Sequence, residues 1–166
     1  MDLKDSVEEE KSKFAKLIQD VMLNDQRPEE IYNALVDTYP DDAIFLGHYG
    51  RYLYEQAFSK KVMYSDELYN LAEELILKAI EISPNVDDSY HMKGMLNLRK
   101  IQSIKYCLTK IKNDPSYDLY DFEDLIQKWM HQAKESFEES IERNQASPYG
   151  YTAQCQLYSE CLKLSK

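Results

Sequence analysis

Glycine and proline are scarce in this sequence, with four and five occurrences among 166 residues. Both residues interrupt helices, so their scarcity favours long helices joined by short turns. The chain lacks an apolar run of about 18 residues, which excludes a membrane-spanning helix. Its start carries charges where a signal peptide has an apolar segment, and its three cysteines form no CxxC pair. We therefore predict a soluble, cytoplasmic chain with reduced thiols.

The usual signatures of catalysis are also missing. Because glycine occurs only at positions 47, 50, 94 and 150, no glycine-rich loop can cradle a phosphate, and neither HExxH nor GxSxG is present. The three histidines are far apart in sequence, and Cys155 is expected to be a small core residue. We predict that the chain is not an enzyme and binds no metal or cofactor. A net charge of −10 disfavours nucleic acid as a partner of the whole chain.

A short pattern recurs three times along the chain. A small residue is followed by an apolar residue four positions later, a small residue after three more, a proline, and a glycine ten residues beyond the proline. The fullest copy consists of Ala72, Ile76, Ala79, Pro84 and Gly94. The downstream copy has Ala133, Phe137 and Ser140, with Gln145 at the proline position and Cys155 at the glycine position. The upstream copy keeps the spacing of Pro40 and Gly50, with Tyr32 and Leu35 on the helix before them. This spacing resembles helix B of a tetratricopeptide (TPR) repeat that runs into the next helix A.

The repeat predicts an all-α fold, a right-handed TPR-like helical solenoid with one overlong antiparallel hairpin. The small residues let helices pack closely, and Gly94 is expected to admit the preceding helix B. The intervals between positions 50, 94 and 155 exceed the roughly 34 residues of a TPR, so the extra residues must lie between helix A and helix B. The apolar periodicity predicts helices over about 6–24, 28–40, 43–58, 67–83, 87–112, 118–144 and 149–164.

These helices predict a single domain over residues 1–166. Residues 1–13 are highly charged and are expected to fray or to form the solvated start of a helix. Repeats with inserted residues occupy 41–85 and 86–146, and 147–166 begins a further repeat. We interpret the chain as a segment of a longer solenoid.

The concave side of such a solenoid is lined by helix A positions that point away from helix B. Their mixture of aromatic, apolar and charged groups predicts a surface that binds a protein or peptide partner. The expected partner-binding residues are Arg51, Tyr54, His91, Met95, Leu98, Tyr149, Thr152 and Gln156.

Two other surfaces are candidates for interaction. Residues 93–112 form a basic strip, which offers RNA binding as an alternative function, but the acidic residues of 114–126 are expected to neutralise it across the hairpin. The helix over 149–164 carries a stripe of Tyr151, Cys155, Tyr158 and Leu162. Because the preceding helix can cover this stripe on only one side, we expect concentration-dependent self-association through 149–164.

Three stretches resemble a narrower family. The segments Ala43–Tyr54, Ala79–Gly94 and Ser147–Leu157 look like the TPR region of large STAND-type P-loop NTPases, which include bacterial anti-phage proteins and vertebrate sterile-alpha-motif antiviral proteins. The resemblance covers roughly residues 27–160, including the overlong hairpin. The resemblance implies that this chain is a sensor or assembly module that accompanies an NTPase. Any ATP hydrolysis would depend on NTPase motifs that are not in this sequence.

Overall fold

All regular secondary structure in the described residues is α-helical. The computed structural model describes residues 27–111 and 120–164, and no strand occurs among them. Six helices follow one another: α1 Pro28–Thr38, α2 Ala43–Ser59, α3 Glu67–Ile82, α4 Asp87–Ile111, α5 Tyr120–Arg143 and α6 Pro148–Leu164. The prediction of an all-α chain is confirmed, and the bounds of these helices agree closely with those expected. The helix predicted over 6–24 and the charged residues 1–13 lie outside the described residues.

The chain forms two compact units, residues 1–40 and 41–166, whose boundary coincides with the start of the first predicted full repeat. In the first unit, α1 begins at Pro28, and Glu29 and Glu30 lie in its first turn. A proline needs no amide partner in that turn, and carboxylates there interact favourably with the helix dipole.

In the second unit, aspartates cap the first two helices. The Asp42 carboxylate accepts hydrogen bonds from the backbone N–H groups of Ile44 and Phe45, at 3.0 and 3.1 Å. Asp66 accepts one from the backbone N–H of Leu68 at 3.0 Å and so starts α3. Each cap satisfies amide groups that the helix itself leaves without an acceptor, and this fixes where the helix begins.

The helices of the second unit pack as successive hairpins. α2 packs on α3 and α4 packs on α5, while α2 also contacts α4, and α4 contacts α6. α3 contacts α4, and α5 contacts α6. We refer to α2, α4 and α6 as A helices and to α3 and α5 as B helices. Each B helix thus lies between its own A helix and the next one, and the same set of contacts occurs twice along the chain.

Gly50 and Gly94 occupy equivalent places in the two hairpins. A Cβ atom at Gly50 would lie 2.7 Å from Cγ1 of Ile76 on α3. A Cβ atom at Gly94 would overlap the ring of Phe137 on α5, at 2.5 Å from Cδ1 and 2.8 Å from Cζ. The helix that approaches Gly94 is therefore the following B helix, and our expectation that it is the preceding one was wrong. The reason is that the small and large residues of a hairpin interlock within that hairpin.

The second hairpin is longer than the first. α4 and α5 contain 25 and 24 residues, against 17 and 16 in α2 and α3, so α4 extends over about 37 Å. Tyr64, from the loop between α2 and α3, packs edge-on against Trp129 at 5.1 Å between ring centroids and against Phe122 at 6.2 Å. These aromatic contacts form part of the core that joins α4, α5 and α6.

Two bases of the predicted basic strip have partners other than those expected. Arg99 on α4 pairs with Glu55 of α2 at 3.0 Å, and Lys100 pairs with Glu73 of α3 at 2.6 Å. We expected the acidic residues of 114–126 to neutralise these two bases across the hairpin, and for both residues that expectation was wrong. Their charges face the first hairpin, because α4 packs on both of its helices. The side chains of Lys105, Lys110 and Lys112 lie outside the described part of the chain.

Candidate protein-binding surface

Six of the eight predicted partner-binding residues lie on the accessible side of the A helices. Arg51 on α2 is exposed, and His91 and Met95 on α4 are half-buried. The α6 members are exposed, with Tyr149 accessible over 67% of its surface. We call this set the A face, and it consists of Arg51, His91, Met95, Tyr149, Thr152 and Gln156. Because α2, α4 and α6 pack side by side, the A face draws on three helices that are distant in sequence.

Tyr54 and Leu98 do not belong to this surface. They retain only 2% and 1% of their accessible surface, so neither can contact a partner in the folded chain. Leu98 lies in the core cluster that includes Ala153 and Leu157 of α6. Burial also raises the pKa of the Tyr54 hydroxyl well above its usual range. The prediction failed at these two positions because neighbouring A helices pack against one another and bury the residues between them.

The centre of the A face contains a histidine in a largely apolar environment. The imidazole of His91 lies 5.8 Å from the ring of Phe137 and 6.1 Å from that of Tyr149, measured between centroids. Its Nδ1 atom is enclosed and has no hydrogen-bond partner among the described residues. Because this atom is enclosed, a partner on the A face could contact the half-buried ring of His91 but not Nδ1, and the missing hydrogen bond is a cost to stability.

Electrostatic coupling joins α2 and α4 at this surface. Burial lowers the pKa of His91, Asp88 opposes this shift, and Arg51 adds to it. Burial also lowers the pKa of His48, with Arg51 adding to the effect and Asp88 opposing it. Both imidazoles are therefore held neutral near one arginine and one aspartate.

His48 was absent from the predicted site. The sequence signal was present, because Arg51 follows His48 by one helical turn and Asp88 precedes His91 by one turn.

A second side of α6 is also accessible. Tyr151 is 47% exposed, Tyr158 51% and Leu162 67%, and Cys155 is exposed as well. The expectation that Cys155 is a small core residue is therefore wrong. We call Tyr151, Cys155, Tyr158 and Leu162 the tyrosine stripe. The tyrosine stripe lies on a different side of α6 from Tyr149, Thr152 and Gln156, which belong to the A face.

Comparison of the chain with protein-family models, curated proteins and solved structures found no match. Within residues 27–111 and 120–164, no three side chains of His, Cys, Asp or Glu are grouped so that they could hold a metal ion. None of the helices in that part of the chain has both the length and the apolar character to cross a membrane.

Proposed function

We propose that this chain is a non-catalytic protein-interaction module, a TPR-like helical repeat that recognises a protein or peptide through its A face. The observation that carries the proposal is the continuity of this face across three stacked helices. Arg51 offers charge, His91 a half-buried ring and Tyr149 a large exposed ring. Arginine and tyrosine are enriched among the residues that dominate protein interfaces. A partner seated here would contact all three A helices at once.

The resemblance to STAND-type NTPases extends this proposal to a biological role. In that setting the repeat would be the sensor or assembly part of a larger cytoplasmic protein of antiviral defence, and hydrolysis would belong to the NTPase part. The full open reading frame tests this extension directly. A GxxxxGK[ST] motif followed by the features of a P-loop NTPase upstream of these residues would support it, and a reading frame without such a motif would remove it.

The alternative of RNA binding through residues 93–112 has less support. Lys100 is 5% exposed and is engaged with Glu73, and Arg99 is engaged with Glu55. Charges held by carboxylates release few counterions when a polyanion approaches, and counterion release provides most of the non-specific affinity for nucleic acid. Generic RNA should therefore leave the chain unbound even at low salt, and a salt-dependent complex would revive the alternative.

Site-specific cross-linking tests the protein-binding proposal. A photoreactive residue placed at Thr152, on the A face, should cross-link a defined protein from cells that express the intact protein. Arg51→Glu should abolish this product because it reverses a charge on the same surface. The control is a photoreactive residue at Glu74, which is exposed on α3. The proposal fails if both positions give the same products, or if Arg51→Glu leaves the Thr152 product unchanged.

A further inference from the structure

His91 lies where three helices meet. It is half-buried on α4, and its imidazole is 5.8 Å from the ring of Phe137 on α5 and 6.1 Å from the ring of Tyr149 on α6. Its enclosed Nδ1 atom has no hydrogen-bond partner among residues 27–111 and 120–164. A proton added to this atom would therefore act directly on the contact between α4 and the start of α6.

The neutral imidazole fits this enclosure, whereas the imidazolium does not. With its proton on Nε2, the neutral ring leaves Nδ1 as a bare acceptor, which is less rare in folded proteins than an enclosed N–H group without an acceptor. In the imidazolium both nitrogens carry a proton, so an Nδ1–H group would be enclosed without an acceptor. The ring would also carry a charge, which burial disfavours. Protonation of His91 therefore requires that the ring reach water.

Charged groups on two helices act on this imidazole. They come from α4 and α2, and they are Asp88, Asp87 and Arg51. From α5 and α6 the imidazole is faced by the rings of Phe137 and Tyr149. Burial lowers the pKa of His91, the two aspartates oppose this shift, and the arginine adds to it. The carboxylates do not outweigh burial, so the closed contact favours the uncharged ring.

The two aromatic neighbours of His91 differ in how freely they can move. Phe137 is 0% exposed and belongs to the core cluster of the second hairpin. Tyr149 is 67% exposed and lies in the first turn of α6. Farther along α6, Ala153 and Leu157 belong to the same core cluster as Phe137, so they hold the rest of the helix in place. The imidazole therefore reaches water by displacing the start of α6.

We propose that protonation of His91 displaces the first turn of α6, residues 148–151, from α4 and so divides the A face. Tyr149 then leaves the part of the A face that α2 and α4 form, and a partner that contacts all three A helices loses one of them. The inference rests on the proposed function, because it describes how acidification regulates the same surface.

The size of the effect follows from the ordinary pKa of histidine. A group with a pKa of 6.5 that binds its proton only in the open form favours that form about 1.1-fold at pH 7.5 and about 11-fold at pH 5.5. Acidification across this range should therefore raise the open population by up to about tenfold. The sign follows from the lowered pKa in the closed form, because the open form then binds more protons at acidic pH.

Amide hydrogen exchange detects the open form. The backbone N–H groups of residues 152–155 donate to the carbonyls of residues 148–151, so their protection is lost when the first turn of α6 opens. Protection factors, which remove the intrinsic pH dependence of exchange, should fall by up to about tenfold at these amides between pH 7.5 and 5.5. Amides 76–79 of α3 are the reference and should keep their protection, because α3 and α6 are not among the described helices that pack together.

Three histidine variants assign the effect. His91→Phe keeps an aromatic ring at this place but binds no proton, so protection at residues 152–155 should no longer depend on pH. His131→Phe is the matched control, since it removes an exposed imidazole from α5 by the same substitution. His48→Gln removes the other imidazole whose pKa burial lowers. Both controls should lose protection as the parent does, and circular dichroism checks that each variant is folded.

Nuclear magnetic resonance of the parent adds a measurement that needs no variant. Long-range proton–nitrogen spectra at pH 7.5 should show the proton of His91 on Nε2 and none on Nδ1. As the pH falls, the ring signals of Tyr149 should change with the same midpoint as the imidazole of His91, because the two groups separate in one step.

Four results would each overturn the proposal. They are protection at residues 152–155 that does not depend on pH, an equal dependence in His91→Phe, an equal loss at residues 76–79, and a proton on Nδ1 of His91 at pH 7.5. The third would show that acid destabilises the whole unit rather than the start of α6.

The cross-link at Thr152 separates this proposal from the proposed function. The ratio of its product at pH 5.5 to that at pH 7.5 should fall in the parent and stay near one in His91→Phe, whatever the amount at pH 7.5. If no specific product forms at either pH, the proposed function fails while the exchange result stands. If exchange shows no opening of α6, the pH response fails while the cross-link stands.

Discussion

The close approach of α5 to Gly94 leads to a quantitative prediction about two glycines. Gly94 and Gly47 both lie inside A helices, but the atoms next to them differ. A Cβ at Gly94 would overlap the ring of Phe137, which is 0% exposed and is held in the core. A Cβ at Gly47 would meet Sδ of Met92 at 3.2 Å, near the end of a flexible side chain that can move away.

The magnitudes follow from opposing terms. Replacing glycine by alanine inside a helix stabilises the helix by about 1 kcal/mol, and this term is common to both variants. Overpacking at Gly94 costs about 1–3 kcal/mol. Gly94→Ala should therefore be less stable than Gly47→Ala by about 1–3 kcal/mol. For a chain of this size, each 1 kcal/mol corresponds to about 2–4 °C in the melting temperature.

Urea and thermal denaturation of the parent and both variants measure this difference. Phe137→Leu provides an internal check, because a smaller side chain opposite position 94 should relieve part of the overlap. Gly94→Ala should then cost less in the Phe137→Leu background than in the parent. If Gly94→Ala proves as stable as Gly47→Ala, the interlocking of glycine and phenylalanine is refuted.

Three further predictions concern polar contacts. Glu73→Gln should lower the free energy of unfolding by about 3 kcal/mol because it leaves the buried Lys100 ammonium without its carboxylate. Lys100→Met should lower it less, because the Glu73 carboxylate that remains can be reached by water. Urea titrations that rank the two variants in the opposite order would contradict this prediction. Because the pKa of His91 is lowered in the folded chain, the unfolded chain binds more protons at acidic pH. His91 should therefore destabilise the folded chain as the pH falls below 6.5, the ordinary pKa of histidine. His91→Phe should make stability fall less between pH 7.5 and 5.5, and an unchanged pH slope would argue against a neutral, desolvated imidazole. The Arg143 guanidinium lies 3.9 Å from the centroid of the Tyr90 ring and donates a hydrogen bond to its hydroxyl, so a double-mutant cycle of Arg143→Ala and Tyr90→Leu should give a coupling of about 0.5–1 kcal/mol. Strict additivity would show that the stacking contributes nothing.

The helical fold could be predicted from local chemistry. Asp42 begins α2, Pro28 begins α1, and apolar residues at three- and four-residue steps identify each helical face, so each helix of the described chain was found close to its observed bounds. The recurrent pattern also identified equivalent residues, although it assigned Gly94 to the wrong B helix. Ile76 and Phe137, equivalent by spacing, do meet the equivalent glycines. These features depend on periodicity and capping, which are properties of short stretches of sequence.

Only the tertiary structure decided which side of each A helix is covered. The sequence could not show whether Gly94 admits the preceding or the following B helix, because both choices satisfy the same spacing. It placed Tyr54 and Leu98 on a surface, although contacts between neighbouring A helices bury them, and it placed Cys155 in the core, although it is exposed. Burial of a residue depends on what the rest of the chain packs against it, and that information lies in residues distant in sequence.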